Sequence, residues 1–451
     1  MDMLRGPIWN QIPRFAFPVA ATAILEQLFN ASDIAVVGNF TGAERTVSVA
    51  AVGANSSIIS LVVNLFIGIA LGANVAIAHA VGRNDREEVQ KTVHTSIVVA
   101  LLGGILVTLA GELAAAPVLR LLQVPEDVFP PALLYLRIYL IGMPVILLYN
   151  FEAAIFRSVG ETRTPLLALA FSGGLNVVLN LFFVIVLHMT VNGVAIATVI
   201  SNGVSSVILY QKLRHSPREI RVSAGKLKID GASLKRIFRI GLPAGIQSAV
   251  FSVANIVIQS SINSLGTVVM AASSAAYNIE VITYDILNSF SQACTTFVGQ
   301  NYGAGQIKRC RKTLLLCILE GLITLVAVIA LLLFFGRTLL SIFNSDPEVV
   351  SVGYVRLLTI MTAHVFSLLY EVMSGYLRGF GISLVPAVLT IIGVCGIRIL
   401  WIQFVFPHSR TFQTIMNVYP ISLSATAVMI FAAVMYYIYK HRREGRQKTD
   451  E

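Results

Sequence analysis

The chain is predicted to be an all-α polytopic membrane protein, and three observations carry that prediction. Of 451 residues, 56% are hydrophobic and 12% charged, whereas a soluble domain carries about 25% charged residues. Apolar runs of about 20 residues, the length that crosses a bilayer as a helix, recur from end to end. No long polar block separates them, and mean hydropathy is +0.78.

Twelve spans are expected, at 14–37, 47–80, 93–115, 128–151, 165–187, 192–212, 240–263, 270–299, 314–335, 350–376, 386–405 and 416–439. Glycine and proline inside several of them are compatible with membrane helices, because neighbouring helices re-satisfy freed backbone groups. The leading segment MDMLRGPIWNQIPR is lightly charged and lacks a cleavage site after its apolar run. It reads as a short cytoplasmic helix entering the first span, not a removed signal peptide.

The first span, FAFPVAATAILEQLFNASDIAVVG from Phe15 to Gly38, carries Glu26 and Asp33 inside its apolar run. Each acid costs about 2.5–3.5 kcal/mol at a membrane centre, which marks both as functional candidates. Glu26, Asn30 and Asp33 follow i, i+4, i+7 spacing and share one helical stripe.

The formal charge of +10 is a topology signal. Of 33 Lys and Arg residues, 26 fall in alternate loops and at the two ends, with a dense interval from Lys212 to Arg239 and a basic tail from Lys440 to Lys448. The remaining seven are Arg45, Arg120, Arg137, Arg337, Arg356, Arg398 and Arg410. The positive-inside rule then places both termini in the cytoplasm, which requires an even number of spans. The basic excess therefore implies no nucleic-acid partner. Cys294, Cys310, Cys317 and Cys395 show no CxxC spacing and read as packing residues.

The interval 212–239 divides the chain into two sets of six spans, and the halves match. Leu147, Leu148, Tyr149, Arg157, Gly160 and Pro165 recur as Leu368, Leu369, Tyr370, Arg378, Gly381 and Pro386, all 221 residues on. Val81-Gly82-Arg83-Asn84 recurs as Val298-Gly299-Gln300-Asn301, 217 residues on, and Pro18 finds Pro243 at 225. Six plus six spans of like sidedness make a parallel repeat, a transporter architecture. The expected domains are an N-lobe over 1–211, a cytoplasmic linker over 212–239, a C-lobe over 240–440 and a cytoplasmic tail over 441–451.

Several segments resemble the multidrug and toxic compound extrusion (MATE) family. They are Glu26-Gln27-Leu28-Phe29-Asn30 with Asp33 and Val37-Gly38, the loops at Ala80–Asn84 and Phe297–Gly305, and those at Phe156–Pro165 and Leu377–Gly381. The order is kept in both halves, and the DNA-damage-inducible protein F-like branch is the nearest in pattern. The resemblance implies two pseudo-twofold-related six-helix lobes around a central cavity that opens alternately to either side. It implies antiport, with inward Na⁺ or H⁺ driving export of an organic, often cationic, compound by a protein expected to be a monomer.

In related members a cation site uses the first-span aspartate, an N-x-x-x-D motif in the fifth span and a threonine in the sixth. Here these are Asp33, Asn176 with Asn180, and Thr198, so Asn180 stands where the family has a second acid. One carboxylate among amide and hydroxyl oxygens suits one monovalent cation, Na⁺, or one proton, and no other metal or cofactor is implied. Glu26 departs from the family's usual uncharged residue; it extends the cation site, binds a cationic substrate, or is satisfied locally.

The second half carries Glu280 and Asp285 in the eighth span, Glu320 in the ninth and Glu371 in the tenth. Glu280 and Asp285 are five residues apart and diverge by about 140°, so at most one faces a cavity. Asp285, Glu280 and Glu371 are candidate cation or substrate acids, and Glu320 is expected to pair with a nearby base. Glu152 with Arg157, and Glu371 with Arg378, read as helix-end ion pairs. Arg398 needs a partner, a carboxylate or helix-end carbonyls, and His364 reads as a satisfied core or cavity histidine. Met143, Tyr149, Met270, Tyr277, Tyr284, Met361 and Tyr370 are candidate lining for a cavity that binds amphipathic cations.

A flippase for a lipid-linked precursor is the nearest rival function, but it needs a basic cavity, and the acids outnumber the bases within these spans. A membrane enzyme is disfavoured because the chain has no HExxH, GxSxG or phosphate-binding glycine loop.

Overall fold

A computed structural model describes residues 1–216 and 219–447, so the end of the expected tail lies outside the described residues. Fifteen α-helices, with five short 3₁₀ or π segments and no strand, make up the regular structure of the described residues. They are α1 (Gln11–Phe40), α2 (Arg45–Gly82), α3 (Arg86–Leu121), α4 (Phe129–Ile141), α5 (Met143–Ser158), α6 (Arg163–Leu181), α7 (Val191–Arg214), α8 (Gly231–Asn263), α9 (Thr267–Gly303), α10 (Ile307–Phe334), α11 (Gly336–Phe343), α12 (Pro347–Gly379), α13 (Leu384–Thr390), α14 (Ile397–Phe404) and α15 (Phe412–Gln447).

Among the described residues nine helical stretches are long and apolar enough to cross a membrane, and the bent α4–α5 pair makes a tenth. The remaining two expected spans are α1 and α9, of 30 and 37 residues. Each is interrupted by the acids that marked it in the sequence. The twelve expected spans are therefore all helical.

Local chemistry explains where these helices bend and stop. The α4–α5 span bends by 49°, and Pro144 beside Gly142 is the cause. Proline cannot donate to the carbonyl four residues back, and the Thr108 hydroxyl donates to that Leu140 carbonyl instead, at 2.6 Å. Asp85 caps α3 by accepting the Glu88 N–H at 3.0 Å, and Asp346 caps α12 through the Glu348 N–H at 2.9 Å. Helix α6 runs into a π-helical turn at Phe182–Val186, and α13 joins α14 through another at Ile391–Gly396.

The repeat is written into the turns. Gly160 and Gly381 both have φ of 79°, and each N–H bonds the carbonyl of its own Arg157 or Arg378. Asn84 and Gly305, also 221 apart, take φ of 58° and 73° after α2 and α9. This corrects the 217-residue match of Val81–Asn84 to Val298–Asn301, because α2 ends at Gly82 and α9 at Gly303. Four residues are close to one helical turn, so the shifted motif kept its face while losing its depth.

Two compact units emerge: Pro18–Gly245 with Met1–Asp2, and Ile246–Glu451 with Met3–Phe17. In the first, α2 meets the opening turns of α8 backbone to backbone. A Cβ on Gly68 would lie 2.2 Å from Gly245 N, and one on Gly72 2.2 Å from the Ile237 carbonyl. Two small-xxx-small pairs, Gly68/Gly72 and Gly241/Gly245, make that approach possible. Part of the 212–239 interval is strapped onto α3. Asp230 N–H donates to Thr95 Oγ1 at 3.0 Å, Ser223 N–H to His94 Nε2 at 3.2 Å, and Glu88 pairs with Arg83 and Arg236.

In the second unit the segment before Phe17 is pinned to α9 and α10. Asn301 Nδ2 donates to the Met3 carbonyl at 3.2 Å, Arg309 donates to the Met3, Arg5 and Gly6 carbonyls, and Phe15 packs edge-on to Phe297 at 6.0 Å.

Candidate functional site

Asp33 lies on α1, 5% exposed, and α1 reaches α6 because Gly173 leaves room for the Phe29 ring. A Cβ there would sit 1.8 Å from Phe29 Cε2. One turn beyond Phe29, Asp33 then meets α6 and α7. Asn180 Nδ2 donates to Asp33 Oδ1 at 2.5 Å and to Asn176 Oδ1 at 3.1 Å. Thr198 Oγ1 contacts Asp33 Oδ2 at 3.0 Å and the Val194 carbonyl at 3.0 Å, and Asn176 Nδ2 approaches Thr198 Oγ1 at 3.4 Å. The four side chains singled out in the sequence thus form one buried cluster from three helices.

Its chemistry is that of a single charge among oxygens. Asn180 Oδ1 is buried and takes no hydrogen bond, an acceptor left open beside a carboxylate. No nitrogen or sulfur base stands in the set, and among the described residues no three His, Cys, Asp or Glu side chains are grouped for a metal ion. Oxygen ligands suit a hard cation, and one carboxylate balances one positive charge. The residues therefore fit Na⁺ or a proton.

The expected stripe is corrected for Glu26 and Asn30. Both are exposed, and neither is among the hydrogen-bond partners of Asp33. Spacing of i, i+4, i+7 places the three on one face, but seven residues rise about 10 Å along the axis. Glu26 instead lines a small cavity with Thr22, Tyr149, Asn150, Arg157 and Thr162. That grouping of an acid and a base was invisible in the sequence, where they stand 131 residues apart.

In the second unit two of the four expected membrane acids are balanced by arginines. Glu280 accepts both prongs of Arg356, at 3.0 Å from Nε and 2.5 Å from Nη2, and Arg356 also reaches Ser273 Oγ at 2.6 Å. Arg356 is 4% exposed, so it belongs to the interior of α12. Glu371 faces Arg378 at 3.7 Å, and Arg378 donates to Gln247 at 2.8 Å. These pairs remove Glu280 and Glu371 as lone acids. Asp285 is buried with Oδ2 unbonded, and Glu320 has the same feature at Oε2 in place of the expected basic partner. The helix-end pair expected at Glu152 is also replaced: Glu152 takes the Ser206 hydroxyl at 2.9 Å.

His364 bonds Thr283 Oγ1 at 2.7 Å. Arg398, 3% exposed, has neither expected partner among the described residues. Its Nε donates to Ser422 Oγ at 3.2 Å, and its guanidinium lies 4.4 Å from the Tyr419 ring centroid and 5.6 Å from that of Phe251. Among the expected lining residues, Met143, Tyr149, Met361 and Tyr370 are buried, whereas Met270 and Tyr277 are exposed.

The MatE family model matches residues 18–182 and 243–402. "Probable multidrug resistance protein YpnP" of Bacillus subtilis (strain 168) is 27% identical over 99% of this chain and 98% of its own length. "Probable multidrug resistance protein NorM" of Thermotoga maritima is 25% identical over 87% of this chain and 84% of its own length. The solved outward-facing structure of a multidrug resistance MATE family transporter superposes with a TM-score of 0.90 at 23% identity, covering 98% of both chains.

Proposed function

The chain belongs to the MatE family, and from that premise we propose that it is a secondary active antiporter. It exports organic, amphipathic cations in exchange for inward Na⁺ or H⁺, by alternating access. Its multidrug resistance relatives support the export role, matching over most of both chains. The observation that carries the coupling role is the Asp33 cluster. A buried carboxylate, bonded by Asn180 and Thr198 and beside the open Asn180 oxygen, is neutralised by one cation and re-exposed as a charge when that cation leaves. Moving an unpaired charge through a membrane interior is costly, which links cation release to the change of state. The protein works as a monomer in the cell's inner or plasma membrane, with both termini cytoplasmic. That sidedness is supported by 26 of 33 basic residues.

Dye efflux in everted vesicles under imposed Na⁺ or H⁺ gradients tests the reading. Wild type is expected to export under at least one gradient, and Asp33→Asn to lose gradient-driven export while still reaching the membrane. Export by Asp33→Asn equal to wild type under both gradients would sink the assignment.

A further inference from the structure

The 221-residue register carries the first unit's cluster onto definite positions in the second. Helices α6 and α13 start at Arg163 and Leu384, α7 and α15 at Val191 and Phe412, and α5 and α12 end at Ser158 and Gly379. All three pairs are 221 apart. Asn176, Asn180 and Thr198 then correspond to Ile397, Trp401 and Tyr419, and Asp33 to Ala254, or to Ile258 at the 225 spacing of the two prolines. The oxygen ligands are gone, and Arg398 stands beside the matching place, stacked on Tyr419 at 4.4 Å. Each fifth span also carries its π turn against these residues, after Asn180 in one and before Arg398 in the other.

Among the described residues Arg398 is a buried charge without a counter-ion. A guanidinium has five N–H donors, and one acceptor, Ser422 Oγ, is supplied to it. Among the described residues no carboxylate is in ion-pair reach of it, because Glu280 is held by Arg356 and Glu371 by Arg378, and Asp285 and Glu320 make no ion pair. His364 is engaged with Thr283. A buried charge is retained only when something pairs with it. Tyr419 and Phe251 cover the ring plane, leaving the guanidinium edge. That edge matches a planar, bidentate oxyanion better than a spherical ion, and a single uncompensated positive charge matches a monoanion.

We infer that Arg398, oriented by Ser422 and Tyr419, is the centre of an anion-binding site that takes the carboxylate of an exported compound. Where the cargo carries a carboxylate, Arg398 is the group that holds it, an assignment that rests on the export reading; binding at Arg398 does not.

The test titrates benzoate, inorganic phosphate and chloride into the full chain in detergent. The chain has two tryptophans, so Trp9→Phe leaves Trp401, three residues from Arg398, as the reporter. Benzoate is expected to give a saturable change in emission, weaker by about tenfold or more in Arg398→Gln, as for loss of a charged hydrogen-bond partner. The change weakens several-fold in Ser422→Ala. Arg398→Lys keeps the charge without the fork and is expected to bind at an intermediate affinity, which serves where the glutamine variant does not fold. Equal benzoate affinity in all Arg398 variants, or no response to any anion, overturns the site. Tighter binding of phosphate or chloride than of benzoate overturns the carboxylate assignment. In proteoliposomes an aromatic zwitterion is expected to be exported in preference to its methyl ester by wild type, and without preference by Arg398→Lys. Absence of that preference in wild type overturns the cargo role while the fluorescence result stands. A chain that exports nothing under any gradient removes the antiport reading and leaves the binding measurement intact.

Discussion

At the level of single residues, buried charge is met in two ways: Asp33 has neutral partners, and Glu280 is tied to Arg356 across 76 residues of sequence. Asn180→Asp would put a second carboxylate against Asp33, and two adjacent negative charges need a second cation. The expected outcome is a higher number of cations bound per molecule, read by equilibrium binding of labelled Na⁺ or by proton uptake on substrate release. Arg356→Leu strands Glu280 and is expected to lower stability by about 3–5 kcal/mol, whereas the double change Glu280→Leu with Arg356→Leu recovers most of the loss. Thermal unfolding in detergent of the two variants and wild type checks this. Asp33 was legible as an acid inside an apolar run, and Asn176, Asn180 and Thr198 were legible through the resemblance to the family's motifs. The Glu280–Arg356 pair was not, because hydrophobic periodicity tells which face a residue takes and nothing about which distant helix it meets.

For whole helices, small side chains and caps decide how closely the elements approach. Gly72→Leu places a side chain where the Ile237 carbonyl stands 2.2 Å from a Cβ, and is expected to cost about 3 kcal/mol. Gly174→Ala, where an added carbon meets nothing within 4 Å, is the neutral comparison in the same melting experiment. Asp230 opens α8, its Oδ2 accepting the Ser233 N–H at 2.8 Å. Backbone and hydroxyl hydrogen bonds from Ser233 hold its carboxyl below the usual carboxylate range. A group whose folded pKa is lowered stabilises the fold above its unfolded value, near 3.9, and loses that contribution as pH falls through the folded value. Protection of the first turn of α8 from hydrogen exchange is therefore expected to fall in acid below about pH 4, and Asp230→Ala to remove that pH dependence. Spans were legible as elements from their apolar runs. Their breaks were less so: Pro144 is local, but the threonine hydroxyl from α3 that satisfies the freed Leu140 carbonyl is announced by no local pattern.

For the whole chain, the fold class followed from composition and the internal repeat, and a TM-score of 0.90 to a MATE transporter agrees with it. The expected boundary at 239–240 did not foresee that Met3–Phe17 joins the second unit and that α8 as far as Gly245 joins the first. Apolar runs say where a helix lies but not whose company it keeps. That exchange has a consequence in time. Met3 accepts hydrogen bonds from Asn301 and Arg309, 298 and 306 residues away. A ribosome adding about 5–20 residues per second needs roughly 15–60 s to reach them. During that wait the opening segment of α1 is made but has no docking surface. Nascent chains arrested before residue 301 are expected to show this segment sensitive to protease, and chains arrested well beyond 309 to show it protected. A segment synthesised about 300 residues before its partners is thus among the last to settle, and its docking reports that the second unit has formed.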